Sequence, residues 1–380
     1  RWLDRCLPDT PTRIQHRSGR LWIFNSAALE RLAAAAKLAS GDAVSVIRGA
    51  ENGRLYDQDA LLRRLLGHTL PDVGAASRAL ARCGVTGITD MTPDNDPGTA
   101  RTFSNLQARG VLLQRVHLAG APTLRPTAAG GSEDFASIEP TQGVGPMLSF
   151  GATKIHLHES DLPTFETFCQ MIAYSHDSRR PVAVHCVSET ELVYTLAAIR
   201  DVGTLPGDRI EHASVTPPAL LEQLRELGLL VVTQPNFVAE RGAAYLRDVG
   251  SAAHDWLYRN RSFLEQGIPL AGGTDAPFGS ADPWYAMRAA VQRMTDDGRR
   301  LGAREALSPE QALALFLGAP EAPHLARRFQ PGGPADLCLL DRSWREARGL
   351  LSAHCVRLTI RAGALIYDRV DEAPVERPAG

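Results

Sequence analysis

Four residues stand out for what their side chains can do together: Lys154, His185, His212 and Asp275. Only two of the 41 basic residues are lysines, Lys37 and Lys154. A chain that writes nearly every cation as arginine has kept an amine within Gly151-Ala-Thr-Lys-Ile-His-Leu-His158, among apolar β-type residues. A guanidinium does not lose its proton. A desolvated ε-amine can, and then acts as a nucleophile, a Schiff-base former or, after reaction with CO2, a carboxylate ligand. An ordinary ion-pairing lysine at a strand end is the alternative. Neutral imidazole and carboxylate are donors that suit Zn2+ and its relatives. Three protein ligands plus an open water position mark a catalytic rather than a structural metal site. One histidine at a strand end is more often structural, and a Thr-Asp-Ala-Pro turn is often only a helix cap. The four residues in chain order are what point to a site.

Each of them closes a short β-type run. The runs are Gly84–Asp90, Leu112–Leu118, Leu148–Leu157, Pro181–His185, Arg209–His212, Leu229–Gln234 and Ile268–Asp275. Amphipathic segments such as Glu189–Arg200 and Pro218–Leu227 lie between them, the alternation that builds a parallel sheet. Seven repeats suit a TIM-like (β/α)8 barrel short of one strand better than an open doubly wound sheet, and a barrel gathers its chemistry at the carboxyl ends of its strands. No Gly-x-Gly-x-x-Gly follows the first run and no Gly-Lys-Ser/Thr loop occurs, which weakens dinucleotide and nucleotide readings. After a helix over Ser308–Leu317, the link Gln330-Pro-Gly-Gly-Pro334 precedes two further β-type segments, the second folding back on itself at an Ala-Gly turn. The expected organisation is a helical and loop-like segment over 1–82, a barrel over 83–328, and a small β-appendage with a tail over 329–380.

Composition narrows the partners. With 380 residues, 44% of them hydrophobic, the chain can bury a sizeable core. Its formal charge of −2, with arginines interspersed among acids, argues against nucleic acid and anionic membrane and leaves a small-molecule substrate, with a homo-oligomer compatible. Six cysteines without a Cys-x-x-Cys pair suggest neither a disulfide framework nor a thiolate zinc site, but reduced thiols in a cytoplasmic protein. The start, Arg-Trp-Leu-Asp-Arg-Cys, lacks the layout of a signal peptide.

Taken in order, a set of short motifs resembles the amidohydrolase superfamily of metal-dependent hydrolases, in the branch called amidohydrolase family 3. The carriers are Asn25-Ser-Ala-Ala-Leu, Gly84-Val-Thr-Gly-Ile-Thr-Asp, Val182-Ala-Val-His, Arg209-Ile-Glu-His-Ala, Gly273-Thr-Asp-Ala-Pro, Asp282-Pro-Trp, Leu307-Ser-Pro-Glu-Gln-Ala and Gly332-Gly-Pro-Ala-Asp-Leu. The resemblance spans nearly the whole chain. It implies His185 and His212 as ligands on the fifth and sixth barrel strands and Asp275 as the eighth-strand carboxylate. Lys154 falls where many members carry a carboxylated lysine bridging two metals. The metal implied is zinc, or manganese or iron, as one or two ions. The reaction implied is hydrolysis of a carbon–nitrogen bond in an amide, cyclic amide or N-acyl compound. Asp275 would take the proton of the attacking water, and His212 would stabilise the developing oxyanion. Gln234, Asn236, Arg241 and Trp284 fall after strands or in mouth loops and are candidates for shaping specificity.

The superfamily's first strand ends in His-x-His, and nothing before Gly84 supplies it. The chain reads as beginning after that strand: a truncated sequence, a shortened protein, or one completed by another chain. Lys154, His185 and His212 then make up the ligand set that can still form, with Asp275 left to move a proton. His156 and His158 share a face with Lys154 by alternation and are expected to contact substrate or pack rather than to bind metal. Cys186 alternates away from His185 and is expected to face helices. Two other readings stand beside hydrolysis: an impaired scaffold with a binding or oligomeric role, and a barrel enzyme using Lys154 as a Schiff base.

Overall fold

The computed structural model describes residues 2–16, 19–38, 43–50, 52–66, 72–124 and 147–370. They form two compact units that divide between Asp72 and Val73.

The first unit carries helix α1 (Trp2–Cys6) and a three-stranded antiparallel sheet of β1 (Arg13–Gln15), β2 (Leu21–Phe24) and β3 (Arg54–Tyr56). Helices α2 (Ser26–Leu38), α3 (Ala43–Gly49) and α4 (Asp59–Leu66) complete it. Its core is small and aliphatic, with Leu32, Ala36, Ile47, Leu55 and Leu62 buried. The sheet corrects the reading of this region as helical and loop-like. Strands of three or four residues are too short for a period of two to show in the sequence. Asn25 carries the first family motif and is structural. Its Oδ1 accepts from the backbone amides of Ala28 at 3.0 Å and Thr12 at 2.9 Å, and its Nδ2 donates to the carbonyls of Leu7 and Thr10. This caps the start of α2.

The second unit opens with α5 (Val73–Arg82) and holds a seven-stranded parallel sheet whose spatial order is its chain order. The strands are β4 (Gly87–Asp90), β5 (Arg115–Gly120), β6 (Leu148–His156), β7 (Val182–Cys186), β8 (Arg209–His212), β9 (Leu230–Thr233) and β10 (Leu270–Gly272). Between or after them come α6 (Pro97–Ala108), α7 (Phe165–Asp177), α8 (Glu189–Val202), α9 (Pro218–Glu226), α10 (Asn236–Asp248), α11 (Asn260–Glu265), α12 (Pro283–Gln292) and α13 (Pro309–Ala314). The sheet curls as a half-barrel with β4 and β10 at its edges. Seven strands agree with the seven sequence runs. Among the described residues, no eighth strand joins the two edges.

Alternation along the strands decides what faces where. Ile155 and Leu157 of the β6 run, Val182, Val184 and Cys186 of β7, and Ile210 of β8 pack with Phe168, Leu192, Leu196 and Leu224 of the helices in the largest core cluster. Each of these large side chains contributes about 1.5–3 kcal/mol by leaving water. The opposite face receives Lys154, His156, Ala183, His185, Arg209 and Glu211. Cys186 follows the expectation: it is fully buried, and its Sγ lies 3.3 Å from Thr195 Oγ1 of α8.

The expected β-appendage is present. A hairpin of β11 (Gly318–Ala319) and β12 (Ala322–Ala326) is followed by a three-stranded antiparallel sheet of β13 (Leu337–Leu340), β14 (Val356–Arg361) and β15 (Ala364–Asp368), with α14 (Trp344–Leu350) between β13 and β14. The predicted Ala-Gly turn joins β14 to β15, with positive φ at both Ala362 and Gly363. Among the described residues no helix is long and apolar enough to cross a membrane.

Candidate active site

Strand register brings the candidate residues to one end of the sheet in two steps. Lys154 pairs with Ala183, which pairs with Arg209; one step further on, His156 pairs with His185, which pairs with Glu211. Alternation would turn His212 toward the helices. It sits at the strand end with φ of 74°, however, in the left-handed region that a residue with a Cβ seldom adopts, and Asp275 is held at φ 52°. Strain of this kind costs on the order of 1–3 kcal/mol per residue and clusters where function over-determines the backbone.

The imidazoles form a continuous row. Ring centroids are 4.4 Å apart for His158 and His156, 4.1 Å for His156 and His185, and 4.4 Å for His185 and His212. His156 therefore lies against His185. The clue in the sequence was its two-residue spacing from Lys154, but only the register between β6 and β7 shows which strand's histidine it meets. Glu211 and Arg209 are the pair that sequence reasoning passed over. Both are buried, and Glu211 Oε1 lies 2.7 Å from Arg209 Nε without the alignment of a hydrogen bond. Their spacing of two on the strand leading to His212 was the available signal.

Burial sets the protonation of the site. Lys154 is buried, 8% exposed as a residue, and desolvation pulls the pKa of its amine down, with Arg209 acting the same way and Glu211 and Asp275 opposing. His185 is held far below the usual imidazole range, first by burial and then by His212, His156 and Lys154. His212 falls to about 3 through burial and the Lys154 charge. Burial raises Asp275 to about 6 against the opposing pull of Lys154 and Arg241. Two neutral imidazoles, an amine biased toward its free base and a carboxylate titrating near neutrality thus share one end of the sheet.

Residues after β9 orient this group. Gln234 Oε1 lies 2.6 Å from His212 Nδ1. A carboxamide oxygen only accepts, so Nδ1 carries the proton and Nε2 keeps its lone pair. Asn236 is fully buried, and its Nδ2 donates to the carbonyl of Thr274, beside Asp275, at 3.0 Å. Gly279 permits this approach, because a Cβ there would sit 2.3 Å from Asn236 Nδ2. Arg241 on α10 donates from Nη2 to the carbonyl of Phe278 at 2.7 Å and stacks over the Phe237 ring at 3.7 Å. Trp284 lies in the main core, 5% exposed, and its indole N–H donates to the Cys83 carbonyl at 2.9 Å.

Whether these donors fit a metal turns on Lys154. Among the described residues, no three His, Cys, Asp or Glu side chains are grouped to hold an ion. His185 and His212 meet the requirement for neutral imidazole, and Gln234 fixes the tautomer of His212 as a second-layer partner does. An ammonium at Lys154 would repel a cation, whereas a carbamate on the same side chain would add the anionic oxygens that the two imidazoles lack. The two imidazoles suit a divalent metal, and with Lys154 as an amine the set lacks an anionic donor beside them.

Known proteins bear on this geometry. YtcJ of Bacillus subtilis, whose own assignment as an amidohydrolase is provisional, is 24% identical over 357 residues, covering 83% of this chain and 65% of YtcJ. The N-substituted formamide deformylase of Arthrobacter pascens is 29% identical over 169 residues, covering 42% of this chain and 31% of that enzyme. In three dimensions, an uncharacterized metal-dependent hydrolase of Pyrococcus horikoshii superposes with a TM-score of 0.59 at 21% identity, over 81% of this chain and 66% of that one. The chain thus spans just under two thirds of the length of YtcJ and of this Pyrococcus protein, and less than a third of the deformylase. The model of the amidohydrolase family matches residues 1–367, and the chain belongs to that family.

Proposed function

We propose that this chain carries the catalytic end of a metal-dependent hydrolase acting on non-peptide carbon–nitrogen bonds: amides, cyclic amides or N-acyl compounds. The observation that carries the reading is the meeting, at one end of the sheet, of Lys154 with two imidazoles held neutral and an aspartate titrating near pH 6. Lys154 as a carbamate, His185 and His212 would hold a divalent ion, zinc by its donor preference. Such an ion, when bound, supplies Lewis acidity and acidifies water.

The chain's own residues do the rest. The buried Lys154 amine, biased toward its free base, attacks CO2 and loses a proton to give the carbamate. Asp275 takes a proton from the attacking water. Its raised pKa makes it a stronger base than an ordinary carboxylate, and once protonated it returns the proton to the leaving nitrogen. Gln234 holds His212 in one tautomer, and Asn236 fixes the backbone before Asp275. Arg241 of α10 holds the Phe278 carbonyl in the turn that follows Asp275, and Trp284 lies in the core.

A second reading, a scaffold without turnover, draws on one observation: no three His, Cys, Asp or Glu side chains are grouped for a metal among the described residues. Reconstitution with zinc or manganese in bicarbonate separates the two. The hydrolase reading expects close to one equivalent of metal, a Lys154 mass increase of one CO2 under native conditions, and turnover of N-formyl or N-acyl amides. His185→Ala should lower turnover by about 1,000-fold or more and release the metal. Metal content well below one equivalent with no turnover would establish the scaffold instead.

A further inference from the structure

The hairpin after α13 brings a carboxylate to the sheet. β12 packs beside β10 at one edge of the half-barrel, and the Gly272 amide of β10 donates to the Leu315 carbonyl, just before the hairpin, at 2.9 Å. From the turn between β11 and β12, Glu321 reaches β5 and β6, the second and third strands from the opposite edge. Its Oε1 lies 3.4 Å from Ser149 Oγ and 3.9 Å from His117 Nδ1, and His117 Nδ1 lies 2.8 Å from Ser149 Oγ. His117 and Ser149 are register partners, so the two strands hold them side by side. Ser149 stands five residues before Lys154 on β6, apart from the row of imidazoles.

The surrounding residues admit the imidazole and keep it neutral. Val116 and Leu118 of β5 pack with Ala100 and Phe103 of α6, so His117 takes the other face of the strand. On β6, Gly151 leaves room for it, because a Cβ there would sit 2.4 Å from His117 Nε2. Burial lowers His117 to about 4, and a neutral imidazole has a lone pair to give. The Glu321 side chain is 61% exposed, which opens the cluster to solution. Among the described residues its carboxylate has no arginine or lysine within ion-pairing distance, and the hydroxyl it meets stands at the long limit of a hydrogen bond. An anion thus faces a neutral imidazole across a hydroxyl, and a cation would satisfy all three.

We propose that His117, Ser149 and Glu321 form a second metal site, which takes a divalent transition-metal ion, zinc by preference, and clamps the hairpin to β5 and β6. The separations of 2.8, 3.4 and 3.9 Å describe a triangle whose circumcentre lies about 2.0 Å from every corner, the length of Zn–N and Zn–O bonds. The imidazole selects transition metals over magnesium and calcium, and water would fill the remaining positions. The charge of Arg209, which also acts on His117, is answered by Glu211 at 2.7 Å. A neutral hydroxyl in the set makes this site weaker than one of imidazole and anionic donors alone. By joining a hairpin beside β10 to β5 and β6, the ion would tie one edge of the half-barrel toward the other.

The inference does not rest on the hydrolase reading, and His185→Ala separates the two sites. In the full chain carrying that substitution, calorimetric titration with zinc in excess should still show one weak equivalent, and zinc should raise the melting temperature; the parent should show it as a second equivalent. Adding Glu321→Gln, at an exposed position, should weaken this binding by at least about 10- to 100-fold, the loss that removing even an outer partner of a metal ligand brings, and should abolish the thermal shift. Ser149→Cys exchanges the hydroxyl for a thiolate donor. In the His185→Ala background it should tighten zinc binding by about tenfold or more and, with Co2+, give a thiolate-to-metal charge-transfer band that the parent lacks. Melting temperatures of the metal-free variants report whether each folds. No zinc bound by the parent beyond the ion lost in His185→Ala, or an affinity in His185→Ala that Glu321→Gln leaves unchanged, would overturn the site. So would a folded Ser149→Cys chain without the cobalt band.

Discussion

Where β7 and its neighbours meet the two ends of the parallel sheet, buried polar groups are treated in opposite ways. At the amino end, Asp208 accepts from His176 Nε2 at 3.0 Å, from the Val182 amide at 2.8 Å and from the Leu205 amide at 2.7 Å. Arg180 beside it donates to the carbonyls of Gly151, Ala152 and Ala121. At the carboxyl end, three residues along the same β7, His185 sits among other imidazoles and far from its ordinary pKa. Among the described residues, Arg209, Glu211, Asn236 and Arg241 each leave a buried atom without a hydrogen-bond partner. Saturated bonding at one end holds strands in register. Unfilled bonding and strained φ at the other mark where stability has been given up for a site that binds something.

The comparison breaks first at Asp208. Asp208→Ala would strand two backbone amides and a histidine, a loss of about 3–5 kcal/mol, the range for opening a buried charge-assisted network. A fall of that size in thermal or urea stability, with metal uptake per folded molecule unchanged, would show that the amino end is structural alone. Metal uptake lost in parallel with stability would show that the two ends are not separable.

Much of the fold was legible because β-alternation and helical periodicity are local. Seven runs became seven strands in order, and the alternation Val182, Val184, Cys186 against Ala183, His185 sorted β7 correctly between helices and site. The small sheet of the first unit was not legible, because three-residue strands such as Arg13–Gln15 carry no period. Part of the site was not legible for a different reason. His212, though named from its sequence, reaches it through a left-handed backbone turn, and His156 meets His185 by a register with β7 set over 29 residues. These are matters of backbone conformation and pairing that residue type alone does not encode. Trp284 illustrates the converse: Asp282-Pro-Trp reads as a mouth loop, but the Asp282 carboxylate caps α12 at the Trp284 amide and the ring goes into the core.

Asp275 sharpens the comparison through pH. Its folded pKa of about 6 lies above the ordinary aspartate value of 3.8, so in metal-free protein it holds its proton more tightly folded than unfolded. A carboxylate shifted in this direction costs nothing below pH 4. It destabilises the fold increasingly as pH rises from about 4 to about 6, by roughly 2–3 kcal/mol at the plateau. Asp275→Asn in chelator-treated protein should therefore raise stability at pH 7 and flatten the melting temperature between pH 4 and 6. An Asn variant less stable than the parent at pH 7 would mean that the carboxylate is compensated, and the contrast between the two ends would weaken.

The smallest effect tests whether the carboxyl end is organised for binding or merely poorly packed. Gln234→Leu removes the acceptor at 2.6 Å from His212 Nδ1 and keeps nearly the same volume in a buried position. If the bond only satisfies a buried donor, stability should drop by about 1–2 kcal/mol and metal affinity should follow no separate trend. If it sets the tautomer that leaves Nε2 free, zinc affinity should fall about 10- to 100-fold, as losses of second-layer partners do, and Gln234→Glu should retain it by accepting the same proton. Competition titration with a chromophoric chelator, run beside the melting curve, reads both quantities on one sample. A loss of affinity that outpaces the loss of stability identifies the unfilled bonds of this end as the cost of holding an imidazole ready.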